Sequence, residues 1–131
     1  MATKKDIILL SGHSGAGKGA IVAYAREHFP QLSFPTTWVT RKPREGELEG
    51  TSKSGKTYFF TNEETFKAAI EKKEFLEWDH HFANYYGTRL DEVENAISRG
   101  KVVFHELEIN GATQILERLG HGRVVSIYIT V

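Results

Sequence analysis

The stretch that decides the fold is Asp6–Lys18, DIILLSGHSGAGK. Its first half is a short, continuous apolar run, which is typical of a strand covered on both faces in a parallel sheet. Glycines follow the run. Beyond Lys18, apolar residues recur every four positions from Ile21 to Phe29, which predicts a helix that ends before Pro30. The sequence therefore predicts a strand, a glycine-rich loop and a helix in succession.

The loop between these two elements matches the first seven positions of the motif G-x-x-x-x-G-K-[ST]. In this motif backbone N–H groups surround phosphate oxygens, and the lysine reaches the β- and γ-phosphates. A glycine-rich turn that binds nothing is the alternative when the motif is taken alone. The residues predicted to bind ATP phosphates are Gly12, His13, Ser14, Gly15, Ala16, Gly17, Lys18 and Gly19.

Gly19 is a departure from the motif, because the usual Ser or Thr hydroxyl at this position ligates Mg²⁺ directly. Ala20 follows and offers no replacement hydroxyl. We therefore expect the Mg²⁺ that accompanies ATP to be held by phosphates, water and more distant carboxylates.

Later segments continue the alternation of strand and helix. Two β-branched runs, Val102–Phe104 and Arg123–Val131, predict strands. Apolar faces across Leu90–Ile97 and Ala112–Leu119 predict helices, and a glycine follows each of them. Strands alternating with helices predict an α/β domain with a mainly parallel sheet flanked by helices.

The middle of the chain is different and is interpreted as an inserted lobe. It contains one clear helix, about Asn62–Lys73, which Thr61 and Glu64 introduce at capping-box spacing. Aromatic residues surround this helix, and the charged, glycine-rich stretch Arg44–Lys56 predicts a surface loop. We predict one domain over residues 1–131, with a core formed by residues 1–33 and 90–131 and a lobe formed by residues 34–89.

Composition excludes several classes of function. The 17 basic and 17 acidic side chains cancel, which gives no support to a nucleic-acid or membrane partner. The absence of cysteine excludes disulfides, cysteine–zinc sites and thiol catalysis. The histidines lack metal-ligand spacing. The first apolar run is too short for a signal peptide, so the cytoplasm is the expected location.

Four further motifs carry a family resemblance: TWVTRKPR at 37–44, GKTYFF at 55–60, FLEW at 75–78 and NYYGT at 84–88. With the glycine-rich loop, they occur in the order seen in guanylate kinases, and the chain resembles that family over nearly its whole length. The resemblance implies a P-loop kinase fold with a GMP-binding lobe. It also implies transfer of the γ-phosphoryl group of ATP to GMP, giving GDP and ADP in purine nucleotide metabolism.

The resemblance also implies roles for single residues. Arginine forks suit a phosphate, and a glutamate suits the N1–H and exocyclic amine of guanine. Glu106 and Glu108 stand where the family has aspartates, at the end of a predicted strand where both carboxylates would face one side. Glu106 is expected to reach Mg²⁺ through water. The GMP-binding residues are Thr37, Arg41, Arg44, Tyr58, Glu77, Tyr86, Thr88 and Glu108, and the catalytic residues are Lys18, Arg41 and Arg44.

An interaction module with the same fold is the alternative function. Such a module would bind phosphopeptides through the residues that hold the GMP phosphate. No obligate protein partner is evident from the sequence. The chain ends at Val131 within a predicted strand, so we expect the lid and C-terminal helices of the family to be absent and turnover by residues 1–131 alone to be low.

Overall fold

A computed structural model describes residues 5–13, 16–45, 47 and 57–130. The predicted loop residues Ser14 and Gly15, and most of the predicted surface loop Arg44–Lys56, lie outside the described residues. The chain forms two compact units, one made of Met1–Phe34 with Asn95–Val131 and the other of Pro35–Glu94.

Eight strands and four helices are seen in the described part of the chain. None of these helices has both the length and the apolar character needed to cross a membrane. In chain order the elements are β1 (Ile7–Gly12), α1 (Lys18–His28), β2 (Leu32–Ser33), β3 (Thr37–Val39), β4 (Tyr58–Phe60), α2 (Glu63–Glu71), β5 (Phe75–His81), β6 (Asn84–Arg89), α3 (Leu90–Ser98), β7 (Val102–Glu106), α4 (Ile109–Leu119) and β8 (Val124–Ile129).

The first unit contains a four-stranded sheet in the order β2-β7-β1-β8. All three neighbouring pairs are parallel, which confirms the predicted parallel sheet. Ile7 pairs with Val103 on one side and with Val124 on the other. Ile7, Leu9 and Leu10 are at most 1% exposed. Successive strand residues point to opposite faces, so β1 is covered on both faces as its apolar run predicts.

Helix α1 covers one face of this sheet. Its Val22 packs with Leu10 of β1 and Phe104 of β7, and the partly buried Phe34 packs against the same cluster. Burying a side chain of this size stabilises a fold by about 1.5–3 kcal/mol relative to leaving it in water. Helix α4 also packs on β1 and on β8, and it ends at Gly120 as predicted.

A second four-stranded sheet, in the order β4-β3-β6-β5, lies in residues 35–94, and the sequence did not predict it. Strands β3 and β4 have only three residues each. The β5–β6 hairpin turns at Phe82 and Ala83, whose φ angles are 51° and 66°. Tight hairpin turns of this kind favour Asn-Gly or Asp-Gly, so Phe-Ala hides the turn from sequence reasoning.

The core of the second unit is aromatic. Phe66 of α2 is fully buried and stacks on Phe75 of β5 with the ring centroids 4.4 Å apart. Helix α2 begins one residue later than the predicted capping box requires. Its cap is Asn62, whose side chain accepts a hydrogen bond from the Thr65 amide at 2.7 Å, so the predicted pairing of Thr61 with Glu64 is wrong. Asn is as good a cap as Thr, and the two adjacent candidates made the choice ambiguous.

Gly87 of β6 provides a test of this packing. A Cβ atom at Gly87 would lie 2.9 Å from the Phe66 ring and 3.0 Å from the Phe75 ring. Because both rings are buried and stacked, neither can move away easily. We expect Gly87→Ala to lower the free energy of unfolding by about 1–3 kcal/mol, measured by urea denaturation. The cost should shrink in a Phe66→Leu background, and an equal cost in both backgrounds would show that these contacts are not its cause.

Candidate functional site

The first unit contains a cavity of about 760 Å³ at the glycine-rich loop. It brings together described residues of the predicted ATP-phosphate loop and both predicted carboxylates. It also includes two residues that sequence reasoning missed, Ile109 and Tyr128. The complete lining is Gly12, His13, Gly17, Lys18, Gly19, Glu106, Glu108, Ile109 and Tyr128.

Two glycines of this loop adopt backbone conformations that other residues rarely reach. Gly12 has a φ of +150°, and a Cβ there would lie 2.3 Å from the carbonyl oxygen of Ile129. Gly17 precedes α1 with a φ of +94°. Glycine is therefore required at both ends of the loop, as the predicted phosphate-binding backbone demands.

Lys18 begins α1 at the cavity wall. Its Nζ donates a hydrogen bond to the Gly12 carbonyl oxygen at 2.8 Å, which folds the side chain back along the loop. The cap residue Gly17 has no side chain to satisfy the first N–H groups of α1, and its first turn contains no acidic residue. An anion in the cavity would meet the lysine charge and the positive end of the helix.

The two carboxylates come from different elements. Glu106 is the last residue of β7, whereas Glu108 lies beyond the strand as the cap residue of α4. The expectation that both would lie on one strand face is therefore wrong, because β7 ends before Glu108. Both nevertheless line the cavity with Lys18.

Tyr128 of β8 contacts the loop from a neighbouring strand. Its hydroxyl lies 3.2 Å from Nε2 of His13, and the two rings meet edge-on with their centroids 5.9 Å apart. The only signal in the sequence was the position of Tyr128 near the carboxyl end of a predicted strand. Its proximity to His13 depends on the parallel pairing of β1 with β8, in which Ser11 faces Tyr128.

In the second unit, predicted GMP-binding residues form one row across the sheet. Tyr58 of β4 pairs with Thr37 of β3, Thr37 pairs with Thr88 of β6, and Thr88 pairs with Glu77 of β5. Residues paired across adjacent strands place their side chains on the same face. The structure therefore brings these four residues together.

Three residues of this row are buried although they are polar. Glu77 is 7% exposed and accepts a 2.6 Å hydrogen bond from the Thr88 hydroxyl. Thr37 is 8% exposed, and its hydroxyl has no hydrogen-bond partner among the described residues. A buried hydroxyl without a partner costs about 1–3 kcal/mol, so a ligand that bonds to it would gain that energy.

Arg41 forms a buried ion pair that the sequence did not predict. Its Nη1 and Nη2 donate to the two carboxylate oxygens of Glu47 at 2.8 and 3.1 Å. The guanidinium carbon also lies 5.1 Å from the ring centroid of Tyr58. The hydrogen bond to Glu47 raises the pKa of Arg41 against the opposing effect of burial, and Tyr58 and Tyr86 add smaller electrostatic contributions. The only signal for Glu47 was an acidic residue three positions after Arg44.

Arg44 and Tyr86 are the other two residues of this unit that are predicted to bind the GMP phosphate. The Arg44 backbone N–H donates to Glu47 Oε1 at 2.7 Å, while the Arg44 side chain is exposed. Tyr86 is partly buried and stacks on His81 with centroids 4.5 Å apart. It lies two residues before Thr88 on β6 and so faces the same side of the sheet. Glu108, the remaining predicted GMP residue, belongs instead to the unit that contains Lys18.

Together the parallel sheet, the glycine-rich loop between β1 and α1, and the carboxylates beside Lys18 define a P-loop protein of the α/β class. Comparison with known families refines this class. The model of the guanylate kinase family matches residues 4–131. The chain belongs to the guanylate kinase family.

Curated relatives support the same family. The guanylate kinase of Halalkalibacterium halodurans is 40% identical over 116 residues, which cover 88% of this chain and 54% of that protein. The guanylate kinase of Mycoplasmopsis pulmonis is 43% identical over 116 residues, covering 88% of this chain and 57% of that protein. The chain thus spans somewhat more than half the length of these two relatives.

A solved structure shows the same architecture. The crystal structure of guanylate kinase from Anaplasma phagocytophilum superposes with a TM-score of 0.73 at 25% sequence identity. The match covers 96% of this chain and 60% of that chain.

The ion pair of Glu47 with Arg41 predicts a pH dependence of stability. The hydrogen bond from Arg41 holds the pKa of Glu47 below its ordinary value of 4.5, while burial opposes that shift. A carboxylate with a lowered pKa stabilises the fold above the ordinary value and loses this contribution as the pH falls through the lowered one. In urea denaturation between about pH 7 and 3, Glu47→Gln should be the less stable protein at neutral pH, and the difference should shrink towards acid. A difference that stays constant with pH would contradict this account.

Proposed function

We propose that this chain takes part in ATP-dependent transfer of a γ-phosphoryl group to GMP, giving GDP and ADP. The observation that carries the proposal is the buried polar row of Thr37, Thr88 and Glu77 beside Arg41 and Tyr58. Such a row combines a polar surface for a base with cationic and phenolic groups for a phosphate. ATP and GMP are the partners that the activity requires, and cytoplasmic purine nucleotide metabolism is the expected setting.

Guanine would be recognised through Glu77. A carboxylate accepts hydrogen bonds from N1–H and from the exocyclic amine of guanine, whereas adenine presents an acceptor at N1. The Thr88 hydroxyl already orients the Glu77 carboxylate, and the Thr37 hydroxyl supplies a further polar group in the same row. Sites built on buried polar pairs reject an analogue that lacks them by about 10⁴–10⁵, and so this set suits discrimination between GMP and AMP.

The GMP phosphate would be held by Arg41, Arg44, Tyr58 and Tyr86. Arg41 is oriented by an ion pair and by the Tyr58 ring, and the exposed Arg44 side chain is accessible to a ligand. Guanidinium groups fork around phosphate oxygens and remain charged at any relevant pH. Both arginines are proposed to act in catalysis as well, by neutralising charge on the transferred phosphoryl group.

ATP would be bound at the cavity of the first unit. Gly17, Lys18 and Gly19 line this cavity, and the lysine charge and the backbone N–H groups would meet a β- or γ-phosphate bound there. Lys18 is the proposed catalytic residue there, since phosphoryl transfer is accelerated mainly by positioning and charge stabilisation. The assignment of Glu108 to guanine rests on the family resemblance alone.

Mg²⁺ is the proposed cofactor, bound together with ATP. Among the described residues, no group of three or more His, Cys, Asp or Glu side chains is placed to hold a metal. The carboxylates of Glu106 and Glu108 in the cavity are the kind of oxygen ligand that Mg²⁺ prefers, and Gly19 offers none. Glu106 would hold the hydrated ion through water, and the ion would supply positive charge at the phosphates.

The alternative of a phosphopeptide-binding module does not require a nucleotide at the P-loop. Gly12 and Gly17 retain the unusual backbone conformations of the loop, and Lys18 lies in the cavity with them. A bound phosphate would account for these features together, and they favour the enzyme.

Substitution of Glu77 tests the base specificity. Glu77→Gln should weaken GMP by about 1.5–3 kcal/mol, because an amide presents a donor where guanine also presents one. AMP affinity should change much less. Isothermal titration calorimetry of both nucleotides measures this, with the exposed Glu64→Gln of α2 as a control that should leave both affinities unchanged. Equal affinity of the wild-type protein for GMP and AMP would rule out the proposed specificity.

Substitution of Arg41 tests the phosphate contact. Arg41→Lys should weaken GMP by about tenfold or more, since a point charge cannot reproduce the two-point contact of a guanidinium. Guanosine has no phosphate and should bind equally to both proteins. If titration shows that guanosine weakens as much as GMP, Arg41 acts on the fold or on the base instead.

A further inference from the structure

Glu47 is a buried acid that the proposed chemistry does not use directly. It is 6% exposed, and its carboxylate accepts three hydrogen bonds from residues in the described part of the chain. Two come from the guanidinium of Arg41 and one comes from the backbone N–H of Arg44. One carboxylate therefore binds to both arginines that are proposed to hold the GMP phosphate.

Stability alone is a poor explanation for such a pair. Removing a carboxylate and a guanidinium from water costs several kcal/mol per ion, and their attraction often repays no more than this cost. A bidentate pair does, however, fix the plane and direction of a guanidinium. The ring of Tyr58, 5.1 Å away, and the ring of Phe60, 5.6 Å away, restrict Arg41 further.

The hydrogen bonds also decide which edge of Arg41 a ligand can use. A guanidinium carries five N–H groups. In the described part of the chain, two of these N–H groups, one on Nη1 and one on Nη2, donate to Glu47. Nη1 also donates to the Lys42 carbonyl oxygen at 3.0 Å. These bonds involve both N–H groups of Nη1 and one of Nη2. The single N–H of Nε and the second N–H of Nη2 form the adjacent edge, which has the spacing for two phosphate oxygens.

The contact with Arg44 acts on the other arginine. Its backbone N–H donates to the same oxygen, Oε1, that Arg41 Nη1 contacts. The Arg41 side chain and the Arg44 backbone are therefore tied to one carboxylate oxygen, which sets where the Arg44 side chain leaves the backbone. The Arg44 side chain itself stays exposed and available.

We propose that Glu47 is a positioning residue for the phosphate of the bound monophosphate. It holds Arg41 by the Nη1–Nη2 edge of the guanidinium and Arg44 by its backbone N–H, so that both guanidinium groups are presented to one phosphate. This inference rests on the proposed function of the site. Glu47 makes no contact with the ligand; it acts through the two arginines.

The test compares GMP with guanosine by isothermal titration calorimetry on the full chain. Glu47→Gln keeps the size of the side chain but removes its charge and replaces one acceptor by a donor. We expect GMP affinity to fall about tenfold to a hundredfold, with guanosine affinity unchanged. The matched control is Glu45→Gln, which alters an exposed acid two residues earlier and should leave both affinities at the wild-type level.

Coupling to Arg41 distinguishes positioning from a merely structural role. In an Arg41→Lys background the oriented fork is already lost, and Glu47→Gln should reduce GMP affinity by no more than about threefold. Glu47→Asp keeps the charge on a shorter side chain and should restore part of the GMP affinity. If thermal denaturation shows that Glu47→Gln does not fold, Glu47→Asp becomes the test variant. Its GMP affinity should then lie below that of the wild-type protein, while its guanosine affinity is unchanged.

Three results would overturn the proposal: unchanged GMP affinity in a folded Glu47 variant, an equal loss of GMP and guanosine, or full additivity with Arg41→Lys. The proposed function fails separately, if the wild-type chain does not prefer GMP to AMP. A wild-type protein that prefers GMP, combined with a Glu47 variant of normal affinity, would leave the function standing and remove only the positioning role.

Discussion

Parallel pairing of β1 with both β7 and β8 is the interaction on which the P-loop cavity depends. Parallel neighbours bring the carboxyl ends of strands to one edge of a sheet. Gly12 and His13 follow β1, Glu106 ends β7 and Tyr128 lies near the end of β8. His13 and Tyr128 are 115 positions apart in the chain. Backbone hydrogen bonds among strands β7, β1 and β8 place these residues around one cavity.

The second unit uses a different physical constraint, the need to give buried polar groups partners. Glu77 and Glu47 are both less than 10% exposed, and each is bonded, one to a threonine hydroxyl and the other to an arginine. An unpaired carboxylate in either place would cost several kcal/mol. The partners that make burial possible also fix the orientation of the acids. Orientation is what a site needs to recognise a base edge or a phosphate, because polar recognition depends on direction as well as distance.

Sequence patterns predicted the parallel α/β unit well and the second unit poorly. In the first unit, the strand, loop and helix around Lys18 are long and regular enough for their periodicity to be read directly. In the second, β3 and β4 have three residues each, and the Phe82–Ala83 turn has none of the usual turn residues. The sheet exists because its strands pair and its aromatic side chains pack together, which no local pattern reports.

By itself, the sequence determined the glycine-rich loop, the parallel α/β class and, through ordered motifs, the family, and it supplied the candidate site residues. Glycine conformations and apolar periodicity are local properties, and local properties are readable from the chain. Only the tertiary structure decided the row that joins Tyr58, Thr37, Thr88 and Glu77, the placement of Glu108 beyond its strand, and the contacts of Glu47 and Tyr128. The row and the position of Tyr128 depend on strand register, which is set by contacts between segments distant in the sequence. The contacts of Glu47 depend on the path of a loop, which brings a buried charge to its partner.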